Sequence, residues 1–227
     1  MTDLYLTRHG QTEWNLQVRM QGRGNSPLTE EGIRGAEILA KRLSSVPFSR
    51  CYTSPMPRAV HTALLLLRGR DVPLTITPYL AEMSLGVWEG VRMAKALEEY
   101  PDAFGKFRNR PDVFRPVSDG GEDFYEVCER AREFLRVIES LPEGTGPILG
   151  VTHCILLQAI MMIVDNRGME TLRSGQSVDQ TSLFRLHFDG AVWTVLERNG
   201  IALEERESSE PDRDCVEDHA DDGAQHK

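Results

Sequence analysis

The feature that most constrains the fold is a short apolar run near the start of the chain that ends in reactive polar residues. Leu4 and Leu6 alternate with Tyr5, and this spacing predicts a strand with both faces buried. Arg8 and His9 then place a guanidinium and an imidazole at the carboxyl end of that strand. Open α/β sheets bind ligands at that edge. The run therefore indicates an α/β enzyme, although a plain exposed strand end explains these residues equally well when they are taken alone.

Apolar periodicities along the rest of the chain alternate between strands and helices. The continuous apolar run at 148–152 is typical of a central parallel strand. Residues 122–141 have apolar side chains at helical spacing, and the alternating segments 182–188 and 192–197 predict a C-terminal hairpin. The complete order predicts an α/β fold. We expect a three-layer α/β/α sandwich with a mostly parallel central sheet, a C-terminal antiparallel edge and a small helical insertion over the site.

The distribution of charge separates a body from a tail. The net charge is −9, but residues 204–227 contain ten acidic and three basic residues, which leaves the remainder at only −2. We predict a single domain over residues 1–203, with an insertion at about 91–121 that ends in Gly120-Gly121. The segment 204–227 has few apolar side chains, so we expect an acidic, flexible tail that does not fold alone.

The composition is typical of a cytoplasmic protein. It is 40% hydrophobic and 27% charged, no apolar run reaches the length of a membrane span, and no signal-peptide pattern is visible. Four cysteines lie far apart without the spacing of a zinc site, which predicts reduced thiols. Because no basic patch stands out, we expect neither a nucleic acid nor a membrane as a partner.

Three more reactive side chains follow predicted strands. Arg58 lies in the first turn of a helix that begins at Pro57, where unpaired amides favour a bound anion. His153 follows the run at 148–152, and Glu82 follows the third predicted strand. A carboxyl group beside a phosphate dianion can stay protonated and act as a general acid. Each residue alone also fits a surface or structural role, but together they predict one anion-binding site.

These residues belong to four ordered motifs that resemble those of the histidine phosphatase superfamily, in its phosphoglycerate-mutase-like branch. The motifs are Arg8-His9-Gly10-Gln11-Thr12-Glu13-Trp14-Asn15, Ser54-Pro55 with Arg58-Ala59 and Thr62-Ala63, Glu82 with Gly86-Val87-Trp88-Glu89-Gly90, and Thr152-His153. The resemblance runs in order over about residues 3 to 200. One such motif has little specificity, whereas four in this order have much.

The resemblance implies a catalytic role for five residues. His9 would attack phosphorus and form a phosphohistidine, which requires a neutral imidazole. Arg8 and Arg58 would bind the phosphoryl oxygens, and their charges would lower the pKa of His9. His153, in its charged form, would contact the transferring phosphoryl group. Glu82 would protonate the leaving oxygen and then activate water.

The resemblance also implies residues on the substrate side of the site. Asn15 would donate a further hydrogen bond, and Gln21 and Gly22 would line the pocket. No cofactor and no metal ion is implied, because arginines and histidines supply the positive charge. Cys154 departs from the family pattern, in which glycine is common at this position. Glu89 is a second candidate for the proton donor, with a structural hydrogen-bonding role as the alternative.

The sequence offers expectations or alternatives for the roles of several other residues. Gly10 is expected to let the chain turn sharply and a ligand approach the backbone. His61 either contacts substrate or is an exposed helical histidine, with the second reading favoured. Basic residues of the insertion either form a rim that selects an anionic substrate or are solvated; they are Arg92, Lys95, Arg108, Arg110 and Arg115.

The expected function is hydrolysis of a small phosphorylated metabolite, and two other hypotheses remain. A bisphosphoglycerate-dependent phosphoglycerate mutase would use the same phosphohistidine, but Met83-Ser84-Leu85 does not match the charged and aromatic run expected after the glutamate. A binding protein without catalysis would not need all five reactive residues. The sequence decides neither the phosphate ester nor whether the chain forms a homodimer.

Overall fold

A mixed sheet forms the centre of the molecule. The computed structural model describes residues 1–174 and 177–202, without the side chains of 201 and 202. The described strands are β1 (Thr2–Arg8), β2 (Arg50–Thr53), β3 (Leu74–Ile76), β4 (Ile148–Thr152), β5 (Leu183–Phe188), β6 (Trp193–Arg198) and β7 (Ile201–Ala202). Their order is β3-β2-β4-β1-β5-β6-β7. The tail predicted at 204–227 lies outside the described residues.

Helices cover both faces of this sheet. They are α1 (Glu13–Leu16), α2 (Glu30–Arg42), α3 (Pro57–Leu66), α4 (Met93–Glu99), α5 (Pro101–Asn109), α6 (Phe124–Glu139) and α7 (Cys154–Val164). Short 3-10 helices lie at Pro78–Leu80, Gly86–Trp88 and Met169–Thr171. The predicted fold class is confirmed, including the parallel centre and the antiparallel C-terminal edge. The sequence patterns do not predict α1, β7 or the 3-10 helices.

The alternation at the start of β1 divides the core between the two faces. Leu4 and Leu6 pack with α6 and α7, whereas Tyr5 packs with α2 and α3 on the opposite face. All three side chains are buried. β1 therefore lies at the centre of the molecule, as its pattern predicts, with β4 parallel on one side and β5 antiparallel on the other.

Local sequence signals determine where the two longest helices begin. Thr29 caps α2 by accepting a hydrogen bond from Gly32 N, and two acidic residues follow in the first turn. Asp123 and Glu126 form a capping box at the start of α6. This box begins α6 two residues later than the predicted start of 122.

The insertion packs through an aromatic cluster. The indole of Trp88 lies against the rings of Phe104 and Phe107 of α5, at centroid distances of 5.9 and 5.6 Å. Phe114 and Phe124 extend the cluster to the start of α6. Burial of these rings seats the short helices of the insertion next to the carboxyl edge of the sheet.

Three strands bring their carboxyl ends to one place. β4 lies between β1 and β2 and runs parallel to both. In this register Arg8 lies opposite Thr152, and Thr53 lies opposite Val151. The residues that follow β1, β2 and β4 therefore emerge side by side at one edge, where the sequence predicts the site.

Within residues 1–174 and 177–202, the structure contains no helix that combines the length and apolarity needed to cross a membrane.

Candidate active site

His9 lies directly after β1 and is buried. Its Nδ1 lies 2.7 Å from the carbonyl oxygen of Gly10. A carbonyl only accepts, so Nδ1 carries the proton and Nε2 keeps its lone pair. The Nε of Arg58 donates to that Nε2 at 3.2 Å. The contacts thus hold a neutral imidazole with a nucleophilic nitrogen beside a guanidinium.

His153 lies directly after β4, with its ring 5.1 Å from that of His9. Nη2 of Arg58 lies 3.2 Å from Nδ1 of His153, and an arginine only donates. The proton of a neutral His153 is therefore on Nε2, which donates to Oγ of Ser54 at 2.6 Å. Ser54 follows β2, so all three strand ends contribute to this hydrogen-bonded group.

Arg58 connects both histidines to a loop of the opposite wall. It is the second residue of α3 and is buried. Its Nη1 donates to Gly24 O at 2.6 Å, and its Nη2 donates to Gly22 O at 2.7 Å. These contacts exclude the alternative of a surface arginine.

The electrostatics keep both imidazoles neutral. The pKa of His9 is well below its usual value because of burial first, and then because of the charges of Arg58 and Arg8. Burial and the charge of Arg58 likewise lower the pKa of His153. Burial lowers the pKa of Arg58 itself to about 10, which leaves the guanidinium charged at neutral pH.

Arg8 completes the positive charge at this edge. It is the last residue of β1, and its Nη1 donates to Val178 O at 2.7 Å. Its Nε is buried and has no hydrogen-bond partner within the described parts of the chain. The side chain lines the same cleft as His9. A donor in this position is available to an anion.

Glu82 reaches the site from the loop after the 3-10 helix Pro78–Leu80. Its Oε1 accepts from Met83 N at 3.0 Å and Leu156 N at 3.3 Å, and its Oε2 accepts from Ile155 N at 3.2 Å. Two of these amides belong to the first turn of α7. The carboxyl group is therefore held at the wall of the cleft by backbone donors.

A polar cluster around Glu122 holds the loop that contains Glu82. Oε2 of Glu122 accepts from Ser84 N at 2.8 Å and from Nη2 of Arg130 at 2.7 Å. Arg130 in turn donates to the carbonyl oxygen of Glu82 at 3.3 Å, and Arg23 pairs with Oε1 of Glu122 at 2.7 Å. No sequence motif indicates this cluster, because its members are far apart in the chain.

The residues predicted on the substrate side also line the cleft. Oδ1 of Asn15 accepts from Thr12 in a capping box, which leaves the NH2 group for a ligand. Oε1 of Gln21 is buried and has no partner among the described residues. Gly22 has φ of +51°, and Oε1 of Glu89 lies 2.5 Å from where a Cβ would be. Glu89 accepts backbone hydrogen bonds here, in agreement with its alternative structural role.

The cleft has a volume of about 180 Å³ and two kinds of lining. One part is the polar group described above. The other part is largely apolar, with Met20, Met93, Phe107 and Ile155, and Cys154 lines it as well. Ligand pockets commonly measure roughly 300–1,000 Å³, so this cleft suits a small ligand.

The described ranges 1–174 and 177–202 contain no group of three His, Cys, Asp or Glu side chains that could hold a metal ion.

A comparison with protein families identifies the family of this chain. The model for the histidine phosphatase superfamily, branch 1, matches residues 4–200. The chain belongs to the histidine phosphatase superfamily.

Relatives of this histidine phosphatase include proteins named as phosphatases and as mutases. The adenosylcobalamin/alpha-ribazole phosphatase of Salmonella typhimurium is 29% identical over 86% of this chain and 89% of its own. The probable phosphoglycerate mutase GpmB of Cronobacter sakazakii is 32% identical over 72% of this chain and 75% of its own. The structure of YhfR from Bacillus stearothermophilus is 37% identical, covers 89% of this chain and 98% of that one, and has a TM-score of 0.84. The family and its phosphatases confirm the predicted enzyme class, a phosphoric monoester hydrolase.

The cleft of this histidine phosphatase is lined by the expected Arg8 and Arg58, and the basic residues of the insertion follow the solvated alternative. None of the basic residues singled out in the insertion lines the cleft; Arg110 and Arg115 instead pair with Asp112 and Asp123. Arg19 and Arg173 line it, and no sequence signal indicates them. His61 is exposed on α3 and lies outside the cleft lining, in agreement with the favoured reading.

Gly10 is required for close packing rather than for an unusual turn. A Cβ at this position would lie 2.5 Å from the carbonyl oxygen of Gly32, which is backbone. We expect Gly10→Ala to lower the free energy of unfolding by about 1–3 kcal/mol, measured by urea denaturation. The control is Gly105→Ala in α5, where a Cβ meets nothing within 4 Å. That change should stabilise the helix by about 0.5–1 kcal/mol, and equal effects of both changes would contradict the packing argument.

Proposed function

We propose that this histidine phosphatase hydrolyses a small phosphate monoester through a phosphohistidine on Nε2 of His9. The observation that carries the proposal is the tautomer of His9. Gly10 O accepts a hydrogen bond from the protonated Nδ1, so the lone pair is on Nε2, where it accepts a hydrogen bond from Nε of Arg58. A neutral nucleophile next to a fixed cation is the arrangement that phosphoryl transfer needs.

In the proposed first step, Nε2 of His9 attacks phosphorus and the bond between phosphorus and the leaving oxygen breaks. Glu82 transfers its proton to that oxygen, which leaves as an alcohol. The amides of Ile155 and Leu156 stabilise the carboxylate that remains on Glu82. The products of this step are phosphohistidine and the free alcohol.

In the proposed second step, water replaces the alcohol. The carboxylate of Glu82 takes a proton from the water as its oxygen attacks phosphorus, and the bond between phosphorus and Nε2 breaks. Inorganic phosphate leaves, His9 regains its lone pair and Glu82 regains its proton. The charges that develop on the phosphoryl oxygens lie among Arg8, Arg58 and His153.

His153 has a conditional role in this proposal. Without an anion, burial and Arg58 lower its pKa and keep it neutral. A phosphoryl dianion that accepts from Nη2 of Arg58 in place of Nδ1 of His153 offsets the charge of Arg58 and favours the protonated ring. We propose that His153 becomes charged only when phosphate is bound, and then donates to a phosphoryl oxygen.

The phosphohistidine has a direct test. Incubation with an aryl phosphate and quenching in alkali should give enzyme that carries one phosphoryl group on His9, because phosphohistidine forms before water attacks. Intact mass and peptide mapping measure it. The His61→Ala variant should be labelled like the unmodified enzyme, and a phosphoryl group on any other residue would overturn the proposal.

A mutase remains the second candidate, because a relative 32% identical to this chain is named as one. Incubation with 3-phosphoglycerate, with and without bisphosphoglycerate, separates the two. Release of inorganic phosphate at a rate matching substrate loss supports the hydrolase. Rapid isomerisation without phosphate release supports the mutase.

We also propose a cytoplasmic location. Cys51 and Cys128 are buried in the separate cores on the two faces of the sheet, so they are placed as packing residues and not as a disulfide pair. Burial raises the pKa of Cys51 to about 12 and that of Cys128 to about 11, which makes both thiols unreactive. Buried thiols of this kind are usual in a reducing compartment.

A further inference from the structure

Arg173 is held in the wall of the cleft by contacts that leave its Nε donor unused. Its Nη1 donates to Oε1 of Gln158 at 2.7 Å, and its guanidinium carbon lies 5.4 Å from the centre of the Phe107 ring. Its Nε is buried and has no hydrogen-bond partner within residues 1–174 and 177–202. The side chain is therefore fixed, with a hydrogen-bond donor that nothing in the described structure uses.

Among residues 1–174 and 177–202, no acidic side chain forms an ion pair with Arg173. Its polar partner is a neutral amide oxygen and its packing partner is a phenyl ring. Arg130, in contrast, donates to the carbonyl oxygen of Glu82 and pairs with Glu122 at 2.7 Å. A partly buried cation without a counter-charge is unfavourable, and an anionic ligand would supply that charge.

The position of Arg173 relative to the reacting histidines follows from α7. Its partner Gln158 lies four residues after Cys154, so the two lie on the same face of the helix, one turn apart. Cys154 directly follows His153 and lines the cleft. Arg173 is therefore bonded to a side chain one helical turn beyond Cys154, and both Arg173 and Cys154 line the cleft.

We propose that Arg173 binds a second anionic group, a carboxylate or a phosphate, on the leaving group of the substrate. The inference rests on the proposed function and assigns the substrate class of that site. Arg8 and Arg58 hold the phosphoryl group that is transferred, and Arg173 holds the other anion. Met93 and Phe107 cover the short carbon chain between them.

Matched pairs of esters test this assignment. Phosphoglycolate differs from ethyl phosphate by a carboxylate in place of a methyl group, and propanediol bisphosphate differs from propyl phosphate by a second phosphate. At least one ester with a second anionic group should exceed its partner without that group in kcat/KM by about tenfold to a hundredfold, and the pair that does so identifies the anion. Arg173→Met should reduce that ratio to about one, because kcat/KM falls much more for the ester with the second anion than for its partner, and Arg173→Lys should restore part of the ratio.

Controls separate this inference from the proposed function. Arg132→Met removes an arginine of α6 that pairs with Glu129 outside the cleft, so it should leave every ratio unchanged. The Kd values of the same esters are measured by calorimetry on His9→Ala, with and without Arg173→Met, so the test holds even where no ester is hydrolysed. Ratios near one in the unmodified enzyme, or ratios that Arg173→Met leaves unchanged, would refute the role of Arg173. Absence of hydrolysis with an intact binding ratio would refute only the phosphatase mechanism.

Discussion

Replacing His9 with alanine is expected to lower kcat for an aryl phosphate by at least about a thousandfold, because it removes the nitrogen that forms the proposed covalent intermediate. The lone pair of Nε2 is fixed by the hydrogen bond from Nδ1 to Gly10 O, and alanine removes both. Substrate binding should change far less, since Arg8 and Arg58 remain. Steady-state kinetics with phosphate release as the readout measures the loss.

The matched control for this prediction is His61→Ala. His61 is an exposed histidine on α3 and does not line the cleft, so kcat should stay within about twofold. Circular dichroism and thermal unfolding establish that both variants are folded. If the His9 variant is folded and keeps a comparable kcat, the phosphohistidine mechanism is wrong.

Replacing Arg58 with methionine is expected to reduce kcat/KM by about a hundredfold or more and to change its pH dependence. The charge of Arg58 is one cause of the low pKa of His9. His9 must be neutral to attack, so activity is lost as pH falls through its pKa. In the unmodified enzyme this loss lies well below the usual pKa of histidine. Without Arg58 the pKa of His9 rises, and the loss should begin at a higher pH.

Two further variants define the role of Arg58. Arg58→Lys keeps a cation but loses the fork that contacts Gly22 and Gly24, so we expect lower kcat/KM with a smaller shift of the acid limb. Arg68→Met removes an exposed arginine that pairs with Glu37, and its pH profile should match that of the unmodified enzyme. An acid limb that does not move in Arg58→Met would mean that this charge does not set the pKa of His9.

The sequence predicts the strands that carry the site residues well, because local patterns determine those strands. The alternation around Tyr5 and the apolar run at 148–152 predict strands whose ends the parallel topology brings together. Arg8, His9 and His153 follow those ends directly, so their proximity could be inferred without coordinates. Glu82 is less determined by local pattern, since its position depends on backbone amides of α7.

The sequence does not predict contacts that depend on loop paths and packing. Arg173 follows a 3-10 helix that no periodicity indicates, and its place in the cleft depends on Phe107 of the insertion. Ser54 is visible in a motif, but its hydrogen bond to His153 depends on the registry of β2 with β4. Gly10 was expected to permit a turn, whereas its close approach to Gly32 is a tertiary contact. Such features require coordinates because they join segments far apart in the chain.

The polar cluster around Glu122 has a consequence for how new specificities can arise in this scaffold. Glu122 lies where the insertion returns to α6, and it holds the loop of Glu82 through Ser84 and Arg130. A designer who exchanges the insertion for that of another family member therefore also changes the support of the proposed proton donor. Grafts that cut the chain before Gly120 and keep Glu122 should retain turnover while altering substrate choice.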